Sequence, residues 1–188
     1  MQRTTHFCAR FALPILLCSA ALPAMAAGVT VYDPDYPTRI LSINEYPTVI
    51  EKLINRADFE LAEKMITLGL EENPQSAQMR FQRCVLLQRA GRTDEARRAF
   101  EDFIARYPEI PEPYNNLAAI YSRLGNLDRA EELLKKSLAL RPNFALAWSN
   151  LGNLYAARAK NAYATSLKHQ PGNKDVRRRA EIVDSLLK

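Results

Sequence analysis

Twenty-one acidic side chains, two histidines and three cysteines are the groups in this 188-residue chain that could move protons, attack carbonyls or hold metal ions. Their spacing supports little of that chemistry. His6 lies in an apolar leader, and His169 stands alone near a predicted helix end, where the helix dipole favours an imidazolium. There is no zinc-ligand spacing, no glycine-rich phosphate loop and no serine on a strand-to-helix elbow. The aspartates and glutamates fall mostly at outward helix positions; two carboxylates meeting across the fold is the route to hydrolysis that the sequence leaves open. We therefore expect a protein that is not an enzyme and that uses no cofactor and no metal. Cys84 falls on an apolar helix position and reads as a small buried hydrophobe, with no sequence neighbour to lower its pKa.

The leader accounts for much of the basic character. Arg3 and Arg10, an apolar run from Phe11 to Leu22, and Ala24-Met25-Ala26 have the pattern of a secretory signal peptide over residues 1–26, cleaved before Ala27. Leu17 before Cys18 is too bulky for lipoprotein processing, so no lipid anchor is expected. The apolar run is also shorter than the roughly 20 residues of a membrane span. Without the leader, lysine plus arginine falls from 26 to 24 against 21 acids, a net charge of +3 instead of +5, which gives little support to nucleic-acid binding. Cys8 and Cys18 leave as well, so Cys84 has no disulfide partner within the chain. We expect an exported protein, periplasmic if the source is bacterial, with no transmembrane span after cleavage.

The elements that would position any binding groups announce themselves by repetition. Pro74, Pro108 and Pro142 are evenly spaced, and Ala62, Ala96 and Ala130 keep the same interval, as do Ile66, Phe100 and Leu134. Gly91 and Gly125 share that step. A fixed period of about 34 residues marks stacked units that cannot bury an apolar face singly. Glycine near the middle and proline near the end of each unit punctuate two amphipathic helices. In the third unit Tyr114, Leu117, Ala118 and Tyr121 share a first-helix face; Gly125-Asn126 breaks it, and Ala130, Leu134 and Leu138 line the second. Asn126 is expected to cap that second helix, and Thr93 with Asp94 and Glu95 to play the same part in the second unit.

Trp148, Leu151, Gly152 and Tyr155, with the alanine–apolar pairs and the three prolines, resemble the tetratricopeptide repeat, W-x2-L-G-x2-Y, then A-x3-F, then P. The resemblance covers residues 43–171, as units 43–76, 77–110, 111–144 and a shortened 145–171. It implies an all-α, right-handed solenoid of helical hairpins. Two departures stand out: Ala57 replaces the usual glycine in the first unit, and Arg83 the usual leucine in the second, where Met79, Phe81 and Leu87 should carry the packing. The fourth unit is five residues short, since Pro171 follows Pro142 by 29. Trp148, Gly152, Tyr155, Ala159, Ala162 and Ser166 keep helical phase across the missing turn. One fused helix from about Phe144 to His169, roughly 39 Å long, is expected, with a tight turn near Lys160-Asn161 as the alternative.

Residues 172–188 should form a capping helix, with Val176, Ala180, Val183 and Leu187 inward and Ile182 and Leu186 broadening that face. Arg177, Arg178 and Arg179 read as a solvated face. Residues 27–45, with Tyr32-Asp33-Pro34-Asp35-Tyr36-Pro37, read as an extended arm partly docked on the solenoid.

The resemblance also implies where ligands dock: the first helices of successive units line a concave groove. By matching position, the peptide-binding candidates are Gln82, Arg89, Asn115, Asn116, Arg123, Asn150 and Asn153, with Val85, Gln88, Ala119, Ser122 and Ser149 beside them. A primary amide can pair with a peptide backbone without reading side chains, and an arginine can hold a carboxylate. The lysines of repeat proteins that grip chaperone tails are missing here. The expected function is an exported scaffold or adaptor that binds a protein or extended peptide in this groove, in envelope assembly or secretion. The alternative is a structural subunit of a larger envelope complex (pilus, secretion or cytochrome maturation), held through its convex face or its arm.

Overall fold

A computed structural model describes residues 41–187. The leader at 1–26 and residues 27–40 of the arm lie outside the described residues, as does Lys188. Eight α-helices and no strand make up the described part: α1 Tyr46–Asn55, α2 Phe59–Glu72, α3 Ala77–Arg89, α4 Thr93–Arg106, α5 Pro111–Arg123, α6 Leu127–Leu140, α7 Ala145–His169 and α8 Lys174–Leu186. They pair as hairpins α1/α2, α3/α4 and α5/α6, each stacked on the next.

Ala62, Ala96 and Ala130 are each completely buried, and Ile66, Phe100 and Leu134 beside them nearly so. A methyl group at these three places lets the paired helices approach, and the larger side chain one turn on fills the remaining space. Phe100 in addition meets Phe81 edge-on at 6.1 Å, and Phe81 lies 5.7 Å from Phe103, so aromatics pack the second unit beside Leu87, while Met79 packs into the first hairpin.

Local signals set the helix ends. Asp58, Ser76, Asn126 and Asn173 each accept, through the side chain, a hydrogen bond from the backbone N–H three residues on, which satisfies a donor the helix cannot. Asn126 thus caps α6 as expected. Thr93 does not cap α4: it is the first helical residue, its hydroxyl donates to Gly91 O at 3.4 Å, and the cap position belongs to Arg92. Arg92 instead clamps Glu95 and Glu63, joining α4 to α2.

A second fastener recurs at each unit boundary. Arg80 Nη2 donates to Pro74 O at 2.6 Å, the Tyr114 hydroxyl to Pro108 O at 3.1 Å, and Trp148 Nε1 to Pro142 O at 2.8 Å. The donor always sits six residues after its proline, whose carbonyl is free because the preceding helix has ended. Arg177 Nη2 makes the same bond to Pro171 O at 2.8 Å. α8 therefore enters as the first helix of a further unit, and Arg177, exposed as expected, also holds that carbonyl.

α7 is continuous for 25 residues, about 38 Å, so the shortened unit has no turn. This has a cost on its apolar face. The helix that should fold back over Trp148 and Tyr155 runs straight on instead, leaving Trp148 54% and Tyr155 45% exposed. α8 packs on α7, where Lys160 Nζ meets Asp184 at 2.7 Å, yet it buries no residue fully. Val176, Ala180 and Val183 are half-buried; Leu187, expected inward, is exposed, and Ile182 and Leu186, expected to broaden the inner face, are 53% and 67% exposed. The reason is that α8 meets a single helix and not the pair that a full unit would present.

At the other end Leu41 is buried in the core of the first hairpin with Tyr46, Ile50 and Met79. No helix among the described residues is long and apolar enough to cross a membrane.

Gly91 and Gly125 turn the chain with φ of 74° and 79°, and Ala57, one repeat before Gly91, is forced to φ 60° in the same turn. A left-handed backbone costs a residue with a Cβ roughly 1–2 kcal/mol. Ala57→Gly should therefore raise the unfolding free energy by about 1 kcal/mol in urea melts. Cys84 is buried, its Sγ 3.3 Å from Arg80 O, and burial pushes its thiol from 9.0 up to about 12. Between those values the unfolded chain loses a proton that the folded chain keeps, so stability should fall as pH rises through that window, by at most about 1.4 kcal/mol per pH unit. Cys84→Ala, the residue present at Ala118 one unit on, should remove that slope from urea melts taken across the alkaline range.

Candidate functional site

Where α3, α5 and α7 converge, a cleft of about 240 Å³ is lined by Gln88, Ser122, Arg123, Asn150 and Asn153 over a floor that includes Ala118, Leu134 and Leu154. α5 supplies Ser122 and Arg123 from its last turn, and α7 supplies Asn150 and Asn153 from its first turns. Arg123 and Asn153 are exposed, Gln88 and Ser122 half-buried. The cleft thus presents one guanidinium, primary amides and a hydroxyl above small apolar residues. Such a set offers donors and acceptors together, which suits a peptide backbone, with the cation free for a carboxylate.

Not all of the expected binding residues are available to a ligand. Asn115 is only 2% exposed and accepts from Asn150 Nδ2 at 2.8 Å. Its own amide reaches Asn116 Oδ1 at 3.4 Å. Gln82 is buried as well, and its Nε2 donates to Pro47 O at 2.6 Å across the α1–α3 junction. Gln82 and Asn115, expected in the groove, are buried and tie units together, and Asn150 does so through its Nδ2. Their spacing carried the signal: Gln82 and Asn150 lie two repeats apart, and each pairs with a residue one repeat and one place earlier, Pro47 and Asn115. Arg89 is exposed at the end of α3 and is not among the residues lining the cleft. Arg123, Asn150 and Asn153 are brought together there; Gln82 and Arg89 are not.

Further ties, which the sequence reading missed, hold the walls in place. The Tyr121 hydroxyl on α5 donates to Glu101 Oε1 on α4 at 2.5 Å, and Arg97 holds the same carboxylate at 2.9 Å. That bond to Glu101, together with burial, raises the Tyr121 phenol above its ordinary value. Tyr155 on α7 repeats the arrangement on Glu131 of α6, at 2.9 Å. Lys135 first, then Tyr155, pulls the Glu131 carboxyl below its ordinary range, and Arg158 adds a second cation at 2.8 Å. Each tyrosine joins the first helix of one unit to the second helix of the unit before, so neither wall of the cleft can shift alone.

Residues 85–143 match the family model of the tetratricopeptide repeat. Within that span the units are tetratricopeptide repeats. A curated relative, the chloroplast tetratricopeptide repeat domain-containing protein PYG7 of Arabidopsis thaliana, is 24% identical over 149 residues, which is 74% of this chain and 50% of that protein. The chain therefore spans about half the length of the curated relative it matches. Among solved structures, the type IV pilus biogenesis factor PilW aligns with a TM-score of 0.57 at 20% identity, over 77% of this chain and 70% of that one. Pseudomonas aeruginosa pilF aligns with a TM-score of 0.55 at 19% identity, over 75% and 67%. YrrB, described as a tetratricopeptide repeat protein with an unusual peptide-binding site, gives 0.52 at 18% identity, over 77% of each. At these identities the likeness is one of fold.

If Asn115 and Asn150 tie units together, their loss should register as stability. Asn115→Ala and Asn150→Ala should couple by about 0.5–1.5 kcal/mol in a double-mutant cycle of urea unfolding. Additive effects would return both amides to the ligand.

Proposed function

We propose that this protein is an exported, non-catalytic scaffold that holds a protein or extended peptide in the cleft between α3, α5 and α7, in the service of envelope assembly or secretion. The observation that carries the reading is the gathering of Arg123, Asn153, Gln88 and Ser122, all free of side-chain partners among the described residues, between walls fastened by tyrosine–carboxylate ties. A preformed cleft limits the entropy lost when an extended segment binds. Export is supported by the leader pattern ending in Ala24-Met25-Ala26. Solved neighbours that include a type IV pilus biogenesis factor and a protein with a peptide-binding site are compatible with this class of work.

A second reading, a fixed subunit of a larger envelope complex, draws on a different surface. Leu146, Trp148, Ile182 and Leu186 are exposed large apolar residues on α7 and α8. Such a surface favours a lasting contact away from the cleft.

Photo-crosslinking in cells separates the two. A photoreactive residue at Asn153 should capture partners that one at Lys136, exposed on α6, does not, and Arg123→Ala should reduce that capture severalfold. Equal capture at Asn153 and Lys136, or capture confined to Ile182, would overturn the cleft reading.

A further inference from the structure

A second opening lies outside the concave cleft. It is a cavity of about 790 Å³ between α3 and α4, bordered by Leu70 at the end of α2. Arginines 80, 83, 98 and 106 stand around it, and Leu87 and Phe103, both buried, form part of its floor.

The repeat explains why the space is there. Tyr114 and Leu117 in the third unit, and Trp148 and Leu151 in the fourth, stand where the second unit has Arg80 and Arg83, one and two repeats earlier. Leu133 and Leu140 likewise correspond to Ala99 and Arg106. In the third unit Tyr114, Leu117 and Leu133 are buried and close the gap between α5 and α6. In the second unit two apolar residues have become arginines on α3 and two on α4 have become alanine and arginine, so the hairpin opens and its lining turns basic.

The charges are also unbalanced. The guanidiniums of Arg83, Arg98 and Arg106 make no hydrogen bond or ion pair with another described residue, and Arg80 Nε is buried without a partner. Of the two acids at the rim, Glu95 is already held by Arg92 at 2.7 and 2.9 Å. Arg83, Arg98 and Arg106 therefore face one uncommitted carboxylate, Asp102, while Arg80 is already held by Pro74 O.

We propose that this opening is a second binding site, separate from the concave cleft, for an acidic segment of a partner protein that carries an apolar or aromatic side chain between carboxylates. The guanidiniums take the carboxylates in forked pairs, and the floor of Leu87 and Phe103 takes the apolar group. Asp102 selects a peptide over a phosphate-bearing surface, since it accepts a backbone N–H and repels a phosphodiester. A volume near 790 Å³ accommodates a few residues of chain.

Fluorescence anisotropy tests this with the purified protein and a labelled peptide holding one phenylalanine between two pairs of glutamates. The peptide should bind, and its counterpart with glutamines should not. Arg83→Leu, which restores the residue present at Leu117, should keep or raise the Tm while weakening binding at least tenfold. Arg98→Gln should weaken it similarly, and Asn153→Ala should change it less than twofold. Loss with Asn153→Ala would move the peptide to the concave cleft, and undiminished binding by Arg83→Leu would remove the site. Binding to phosphatidylglycerol vesicles without binding to the peptide would assign the arginines to lipid. A tenfold gain in the Asp33→Asn, Asp35→Asn double variant would assign the opening to the chain's own acidic segment. Each of these last results overturns the proposal.

Discussion

The close approach of two helices at Ala62, Ala96 and Ala130 is the constraint on which the rest depends. All three are wholly buried, so nothing larger than a methyl group fits between the helices of a hairpin there. With that distance set, the neighbouring Ile66, Phe100 and Leu134 can seal the hairpin, and one hairpin can seat on the next. Bond-by-bond fasteners follow from the same geometry. A proline carbonyl faces the side chain six residues on, and a tyrosine on each of α5 and α7 reaches a glutamate of the preceding unit. Since these contacts join neighbours only, the stack is stiff locally and has no single centre.

Binding surfaces arise where units depart from one another. Units that packed identically would leave a featureless wall. The concave cleft exists because the last turn of α5 and the first turns of α7 present small and polar residues. The basic opening beside α3 exists because the second unit exchanged aromatic and leucine side chains for arginines. The exposed Trp148 and Tyr155 exist because the fourth unit lost its turn. Three different surfaces therefore come from three local departures from one repeated plan, two by side-chain replacement and one, at α7, by loss of a turn.

The period itself was enough to reveal the hairpins, because proline, glycine and alanine each act through backbone geometry that holds in any context. The unbroken α7 was legible for the same reason: helical phase persists across the place where five residues are absent. Side-chain roles were less legible. Asn115 and Gln82 read as ligands because a polar residue on a first-helix face is normally wet, yet each is buried against the neighbouring unit. That outcome depends on the offset between units, which the sequence states only as a spacing of one repeat, or one repeat and a single residue more, between partners. Arg80 and Arg177 were opaque because a guanidinium standing in for Trp148 at the proline carbonyl keeps the hydrogen bond while abandoning the apolar packing. The inner face of α8 was legible only in part, since an amphipathic pattern names such a face without saying how much partner surface awaits it.

Replacing each of the three alanines by leucine puts the central constraint to the most direct test. Overpacking a site closed to a methyl group costs about 1–3 kcal/mol, so like stacking predicts comparable losses for Ala62→Leu, Ala96→Leu and Ala130→Leu in urea unfolding. A loss near zero at any one of them, with the other two destabilised, would show that the hairpins are not built alike.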